Sequence, residues 1–339
     1  MVNWNKTQGG SLIIRRIIEM KSIRFIKLSL LLTIFSLVIS CKTSKLTYQD
    51  NVTVNSGEFV RDTLYNNYVE YRTGNYPLII TIPHGGVIKV DSLLTRTKQN
   101  CPDPKFETVY DSNTPELGNL LDSIIFAQTG KYPHIIFCKL KRTFVDVNRI
   151  EEYAIPVGSY GNKMTYKQFY GFIIEAKKRI TESYGSGLIL DIHAHGHSKQ
   201  EIEIGYQLTA SELNLPDNVL DNIIYANKSG IISLYQSVSS KHSFSQIIRG
   251  DNSFGTLLKL NGIECIPHKW NPSPGKTSYF SGGNITKFNG SCSGGTIDAI
   301  QLEFNSASRK EPVARKNTAK QLAKTVEQYY ELNYKFKKL

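Results

Sequence analysis

The sequence predicts an α/β fold, formed by a single three-layer domain around a mostly parallel, mixed sheet. Short, continuously apolar segments such as 78–82 and 188–190 are typical of strands that are buried on both faces. These segments alternate with stretches whose apolar residues recur at helical spacing, as strands and crossover helices do in such sheets. No internal repeat and no long linker follow residue 75, so one domain is expected there.

The spacing of apolar residues indicates helices and strands along the chain. Leu117, Leu120, Leu121, Ile124 and Ile125 recur at the spacing of a helix with one buried face, and a similar pattern runs from Tyr166 to Ile180. Apolar runs that end at turn-forming or polar residues are expected to be strands: 78–82, 134–140, 143–148, 188–190, 201–208, 262–267 and 297–304. A closing helix is expected over 313–330.

Composition excludes several protein classes. The chain has 339 residues, 40% of them hydrophobic, with 25 Gly and 12 Pro scattered along it, which excludes a disordered or collagen-like chain. Its net charge is +12, but residues 1–40 hold six basic residues and one acid, so the remainder carries only +7. Because the remaining basic residues form no stripe interleaved with aromatics, we expect no nucleic-acid partner.

The N-terminus has the pattern of a targeting signal. Lys21, Arg24 and Lys27 precede a mostly apolar run over 28–39, and the residues up to Cys41 resemble a bacterial lipobox. We therefore expect a lipoprotein signal peptide at 1–40 and a lipidated Cys41 that anchors the protein to the periplasmic or outer face of a bacterial membrane, in the cell envelope. An uncleaved signal anchor is the alternative, and translation could start at Met1 or Met20.

The rest of the chain divides into two parts. Residues 41–75 are expected to form a tether and an edge segment, and residues 76–339 the main domain. Outside the cytoplasm the four remaining cysteines could form disulfides, but the sequence does not indicate how they would pair: Cys101, Cys138, Cys265 and Cys292.

Two histidines follow strands directly. His84 comes after the run 78–82, and His193 comes after the run 188–190. Because ligand sites in α/β sheets lie where the carboxyl ends of strands meet loops, we expect both imidazoles to face one crevice. Two histidines together with a third ligand, either a carboxylate or another histidine, suit zinc. Each histidine alone could instead be a turn residue that forms a hydrogen bond with the backbone.

Several motifs occur in the order seen in N-formylglutamate amidohydrolases, and the resemblance spans about residues 76–306. They are Pro83-His84-Gly85-Gly86, the segment 111–117, the segment 142–149, Asp191-Ile-His193, Glu203-Ile-Gly205, the segment 282–286 and Gln301-Leu-Glu303. That family is similar in fold to zinc carboxypeptidases and aspartoacylase, so the resemblance implies a zinc carboxypeptidase-like fold for residues 76–339. Gly85 departs from the family, which more often has serine there.

The resemblance implies a zinc site with three protein ligands. His84 and His193 would bind Zn²⁺ together with a carboxylate from the segment that begins at Asp111. Asp111 is the preferred third ligand and Glu116 the competing one; an acid at Asp111 could also serve only as a helix cap. His195 and His197 do not stand at the family position and are expected to be exposed or to lie behind the ligands.

The resemblance also implies the catalytic and substrate-binding residues. Glu303 matches the family's general base, and Arg142 would help to polarise the amide oxygen. Arginine forms bidentate hydrogen bonds with carboxylates and asparagine adds a neutral donor, so Asn148 and Arg149 are predicted to bind a substrate carboxylate. A structural ion pair of Arg149 with Asp146 or Glu151 is the alternative.

These residues predict a zinc-dependent amidohydrolase that acts on a linear amide of a small, carboxylate-bearing substrate. Because a lipoprotein meets amides outside the cytoplasm, a zinc peptidase or cell-wall peptide amidase is the main alternative. A lipoprotein that kept the fold and only binds ligand is a third hypothesis from another class.

Overall fold

A computed structural model describes residues 61–66, 68–198 and 201–336, so the predicted leader and Cys41 lie outside the described residues. Its centre is one sheet with the strand order β1-β2-β4-β3-β5-β8-β6-β7. The strands are β1 Thr63–Asn66, β2 Val69–Arg72, β3 Leu78–Ile82, β4 His134–Cys138, β5 Gly187–Ala194, β6 Ile202–Gly205, β7 Cys265–Ile266 and β8 Ile297–Phe304. The neighbours β4, β3, β5 and β8 are parallel, whereas β6 and β2 run antiparallel to the strands beside them in this central group.

Helices cover both faces of the sheet. Three of them are long: α1 Thr114–Thr129, α3 Tyr160–Tyr184 and α12 Pro312–Asn333. The others have four to seven residues: α2 Glu151–Ala154, α4 Ala210–Leu213, α5 Asp217–Leu220, α6 Ile223–Lys228, α7 Ile232–Val238, α8 Phe244–Arg249, α9 Phe254–Leu260, α10 Asn284–Asn289 and α11 Ser306–Arg309. A three-residue 3₁₀ turn covers Ser291–Ser293.

Two apolar clusters fill the spaces between the sheet and these helices. On one face, Leu117 of α1 and Leu322 of α12 are buried against residues such as Leu190 of β5. On the other face, Phe169 of α3 is buried against residues such as Ile189. Because both faces are covered, the central strands are apolar on both sides, as the sequence pattern predicts. The predicted fold class, an α/β domain of three layers around a mixed sheet, is confirmed.

The topology creates a crevice at the carboxyl ends of the central strands. The chain leaves β3 for β4 on one side and later returns to β5 on the other side of β3. Ligands bind where the strand order reverses in this way. At this end of the sheet, the side chains on the same face as the α3-side apolar cluster become polar: Thr81, Asp191, His193, Gln301 and Glu303.

Segment 143–148 was predicted to be a strand, and this prediction is wrong. Phe144, Val145 and Val147 are buried, which explains the strand-like pattern, but the backbone forms successive turns. The amide N–H of Phe144 donates to the carbonyl of Lys141, and the N–H of Arg149 donates to the carbonyl of Asp146. These local backbone hydrogen bonds take the place of the hydrogen bonds that a strand would form with its neighbours in a sheet.

The first two strands lie within the segment 41–75, and β1 and β2 pair as an antiparallel hairpin at the edge of the sheet. The strand predicted over 262–267 is shorter in the structure and covers only Cys265–Ile266.

All four cysteines of the described chain are free thiols, so none of the disulfides that the sequence allowed is formed. None of the helices in the described ranges combines the length and apolar character needed to cross a membrane.

Candidate active site

His84 lies at the turn that follows β3 and is buried. Its Nε2 atom lies 2.7 Å from Oδ1 of Asp146, a fully buried carboxylate. Because Nε2 faces this carboxylate, Nδ1 is the ring nitrogen that remains available as a metal ligand. Nδ1 is buried and has no hydrogen-bond partner in the described chain.

The turn around His84 is tight. A Cβ atom at Gly85 would lie 2.5 Å from the Pro115 ring, so the departure from serine at this position fits the close approach of α1.

His193 lies on β5 with its ring edge-on to that of His84, the ring centroids being 4.8 Å apart. Its Nε2 atom is 3.0 Å from Oδ2 of Asp191, and Asp191 in turn accepts a hydrogen bond from the Thr81 hydroxyl at 2.7 Å. Burial opposes a charge on this ring, but the neighbouring Asp191 and Asp111 outweigh it and raise the pKa of His193 well above its ordinary value.

Asp111 completes a group of three with the two histidines. Its Oδ2 atom lies 3.2 Å from Nδ1 of His193 and 3.6 Å from Nδ1 of His84, and it accepts a hydrogen bond from the Ala194 N–H. Burial would raise the pKa of Asp111, yet the interactions with both histidines lower it below its usual range.

The competing ligand, Glu116, is exposed on α1 and does not belong to the group of three. The side chain of Asp111 also does not cap α1, since it points to β5. Asp111 therefore lies with the two histidines, whereas Glu116 does not.

The three donor atoms fit a divalent metal such as zinc. Ligands about 2.0–2.1 Å from a tetrahedral zinc ion lie about 3.3 Å from one another, and the separations of 3.2 and 3.6 Å measured from Asp111 are close to this value. The orphaned Nδ1 of His84 is a second sign of fit, because a buried lone pair without a partner is costly. Asp146 and Asp191 behind the rings supply the carboxylates that commonly orient histidine ligands of metals.

Glu303 lies on β8 directly opposite His193 in the strand register, and it is buried. Burial raises the pKa of Glu303 to about 8; the charge of His193 lowers it, while nearby acids such as Asp111 and Glu203 raise it. Its Oε1 atom accepts a hydrogen bond of 2.7 Å from Nε2 of Gln301. A carboxyl with such a pKa can both accept and release a proton near neutral pH.

Arg142 is buried beside the histidines and is held by Asp146. Its Nε donates to Oδ2 of Asp146 at 2.8 Å and Nη1 donates to the Val109 carbonyl, whereas Nη2 makes no hydrogen bond within the described ranges. Burial lowers the pKa of Arg142, but the charges of Asp146 and Asp111 outweigh burial and raise it. Arg142 therefore remains a cation with one group available at the cavity.

Asn148 and Arg149 line the same cavity, but their hydrogen bonds go to the protein. Nδ2 of Asn148 lies 3.1 Å from Nε2 of His193, and Oδ1 accepts the N–H of Ile285. Nε of Arg149 donates to Asp103 at 2.8 Å, and its two terminal nitrogens donate to backbone carbonyls. The structure shows that both residues hold protein segments together, and their binding of a substrate carboxylate stays a prediction.

His195 and His197 form a separate group with Glu203. Both nitrogens of His195 have backbone partners, the Glu201 carbonyl and the N–H of His197. His197 lies 2.6 Å from Glu203 and stacks on Phe280. His195 is buried and His197 is partly buried, so neither is exposed.

The cavity above these residues has a volume of about 640 Å³. His84, Asp111, His193 and Glu303 form part of its wall, together with Arg142, Gln301 and Asn284. The sequence patterns did not indicate that Asp146 is the partner of His84. They also gave no role to Gln301 or Asn284, which line the cavity. All three lie in motifs that resemble the family, the segments 142–149 and 282–286 and Gln301-Leu-Glu303, but their contacts with the other site residues become visible only in the fold.

No family model matches this chain, and no curated protein matches it. Three of the similar solved structures are an N-formylglutamate amidohydrolase from Ralstonia eutropha, a gene product from Agrobacterium tumefaciens and an N-acetylmuramyl-L-alanine amidase from Mycobacterium smegmatis. In that order, their sequence identities to this chain are 9%, 11% and 12%, and their TM-scores are 0.46, 0.44 and 0.34. The matched regions cover 78%, 79% and 76% of this chain. They cover 98%, 96% and 97% of the respective solved chains. The first carries the name of the family that the sequence motifs resemble.

Proposed function

We propose that this protein is a zinc-dependent hydrolase of linear amide bonds. The observation that carries the proposal is the convergence, at one cavity, of His84, Asp111 and His193 with the buried carboxyl of Glu303. Two histidines, one carboxylate and a nearby acid of raised pKa are the parts that metal-assisted hydrolysis needs.

His84 and His193 would hold the metal through Nδ1, and Asp111 through a carboxylate oxygen. When bound, zinc supplies a Lewis acid that polarises a carbonyl oxygen and lowers the pKa of water. Asp146 and Asp191 fix the orientation of the two rings through Nε2, so that little reorganisation is needed when the metal binds.

Glu303 has the position and pKa of the acid–base group. One of its oxygens, Oε1, is engaged by Gln301, which leaves the other to accept a proton from the attacking water. The same carboxyl would then deliver this proton to the leaving nitrogen, which completes hydrolysis of the amide.

Arg142 is the residue that we assign to the amide oxygen, since Nη2 is not used by the protein and the guanidinium lies beside the Asp111 group. Further cations line the cavity, namely Lys105, Arg149 and Lys287, and they support a substrate that carries a carboxylate. In the cell, we propose that Cys41 anchors the enzyme to the periplasmic or outer face of the membrane, where such amides include peptides.

The test separates metal binding from chemistry. Glu303→Gln keeps the size of the side chain but removes the proton acceptor, so we expect bound zinc to remain while turnover of N-acyl amino acids falls by roughly 10²-fold or more. Glu116→Gln makes the same chemical change at an exposed site outside the cavity and should leave turnover unchanged. Near-normal turnover in Glu303→Gln would contradict the proposal, and so would zinc-loaded wild-type protein that binds acyl amino acids without cleaving them.

A further inference from the structure

Two polar atoms in the wall of the cavity are shielded from solvent and have no hydrogen-bond partner among the residues that the structure describes. They are Oε1 of Gln301 and Nδ2 of Asn284. Gln301 is only 3% exposed. A buried polar atom without a partner is destabilising, so native proteins keep few of them unless a ligand completes the bond.

The orientation of the Gln301 carboxamide is fixed by its neighbour. Its Nε2 donates to Oε1 of Glu303 at 2.7 Å, which leaves Oε1 as the atom of this carboxamide without a partner among the described residues. Gln301 and Glu303 are two residues apart on β8, so both side chains lie on the same side of the sheet. An acceptor is thus held next to the proposed acid–base group.

Asn284 is the first residue of α10, and side-chain hydrogen bonds hold the turn that precedes it. Gln207, which has φ 67°, donates from Nε2 to the carbonyl of Gly283 at 2.8 Å and to the Thr286 hydroxyl. Gly283 itself contacts the Asn148 carboxamide so closely that a Cβ atom would not fit. Because Asn148 also contacts His193, the turn that carries Asn284 has a fixed position relative to the proposed ligands.

One orphaned acceptor and one orphaned donor are complementary to peptide backbone, which offers N–H and C=O groups. A simple acyl amino acid has a single amide, and this amide is the bond to be cleaved. A cavity of about 640 Å³ is in the range that accommodates larger, drug-sized ligands. A substrate with backbone groups beyond the scissile amide would supply a partner for each of the two unpaired atoms.

We infer that the site recognises a peptide-type substrate, in which backbone next to the scissile amide donates an N–H to Oε1 of Gln301 and accepts a hydrogen bond from Nδ2 of Asn284. The inference rests on the proposed function, because it takes Glu303 as the group that acts on the scissile amide. It narrows the substrate class from acyl amino acids to acylated peptides.

The experiment uses zinc-loaded protein and three probes: N-acetylalanine, N-acetyl-dialanine and N-acetyl-dialanine methylated on the nitrogen of its second amide. The acetyl bond is the scissile bond in each. For the wild type, we expect kcat/KM to be about 10-fold higher for the unmethylated dipeptide than for the methylated one, since one buried hydrogen bond is lost. In Gln301→Leu this ratio should fall to about 1, even if the variant is slower on all three probes.

Asn284→Asp provides a second variant that keeps the shape but replaces the donor with a carboxylate oxygen. It should lower kcat/KM for N-acetyl-dialanine about 10-fold more than for N-acetylalanine. Asn218→Asp is the matched control, because Asn218 is exposed on α5 and does not line the cavity. Its ratios should equal those of the wild type.

The outcomes separate this inference from the proposed function. If the wild type cleaves N-acetylalanine as well as both dipeptides, or if Gln301→Leu keeps the wild-type ratio, peptide recognition is wrong while the hydrolase stands. If no probe is cleaved, calorimetry with the two dipeptides decides: discrimination that depends on Gln301 would support the inference although the hydrolase fails, and equal binding would overturn both.

Discussion

At the scale of single residues, the site is organised by buried carboxylates that each hold a defined partner. Asp146 accepts hydrogen bonds from His84, Arg142 and the Asn148 backbone, and Asp191 accepts from Thr81 and lies beside His193. Buried acids are tolerated only when they are paired in this way. As a result, the Nδ1 atoms of His84 and His193 both face the carboxylate of Asp111.

Arg149 shows how the structure changes the interpretation of one residue. The sequence predicts that the guanidinium of Arg149 binds a substrate carboxylate. In the structure it donates hydrogen bonds to Asp103 and to the carbonyls of Asn148 and Lys105. Lysine keeps the charge but cannot make these divergent bonds. We expect Arg149→Lys to lower kcat/KM for neutral and carboxylate-bearing amides by similar factors, because the segment around Asp103 loses its anchor.

Matched pairs of acyl amino acids and their primary amides provide the measurement for Arg149→Lys. A loss confined to the carboxylate-bearing members would show that Arg149 binds substrate directly, as the sequence predicts.

At the scale of elements, the central strands were predictable because strands buried on both faces have continuous apolar runs. β3 and β8 have the bounds that the pattern indicates. The short helices between 210 and 260 gave no such signal, since four to seven residues are too few for a periodic pattern and tertiary contacts stabilise them. Strand ends located the two histidines and Glu303, but the unpaired atoms of Gln301 and Asn284 depend on contacts between distant segments.

The amino end of β8 carries a second buried acid, Asp298, far along the strand from Glu303. Burial raises the pKa of Asp298 to about 7, while hydrogen bonds from the Ser291 and Tyr334 hydroxyls limit this shift. The folded protein therefore binds this proton more tightly than the unfolded chain, whose Asp pKa is about 3.9. The stabilising effect of protonation is complete below about pH 4 and is lost as the pH rises to about 7.

Asp298→Asn should remove this dependence. Urea unfolding at several pH values is the measurement, and the free energy of unfolding of the variant relative to the wild type should rise by a few kcal/mol between pH 4 and pH 7. A constant difference over that range would show that Asp298 is ionised in the folded protein throughout.

At the scale of the whole molecule, the predicted leader determines where the proposed enzyme acts. We expect Cys41→Ala to abolish lipidation and to shift the protein from the membrane fraction to the soluble fraction of the cell envelope. Fractionation followed by mass spectrometry of the N-terminus is the measurement. Full membrane association of the variant, with the leader removed at the same residue, would contradict a lipid anchor at Cys41.

The central claim is that His84, Asp111 and His193 bind one zinc ion. Elemental analysis of the full-length protein after zinc loading and dialysis tests it most directly, with one zinc per wild-type chain as the expected result. His84→Ala, His193→Ala and Asp111→Asn should each lose most of the metal, because a three-ligand site loses most of its affinity with any one ligand. His195→Ala and Glu116→Gln should keep it. Wild-type protein without zinc, or full zinc content in His193→Ala, would contradict the account.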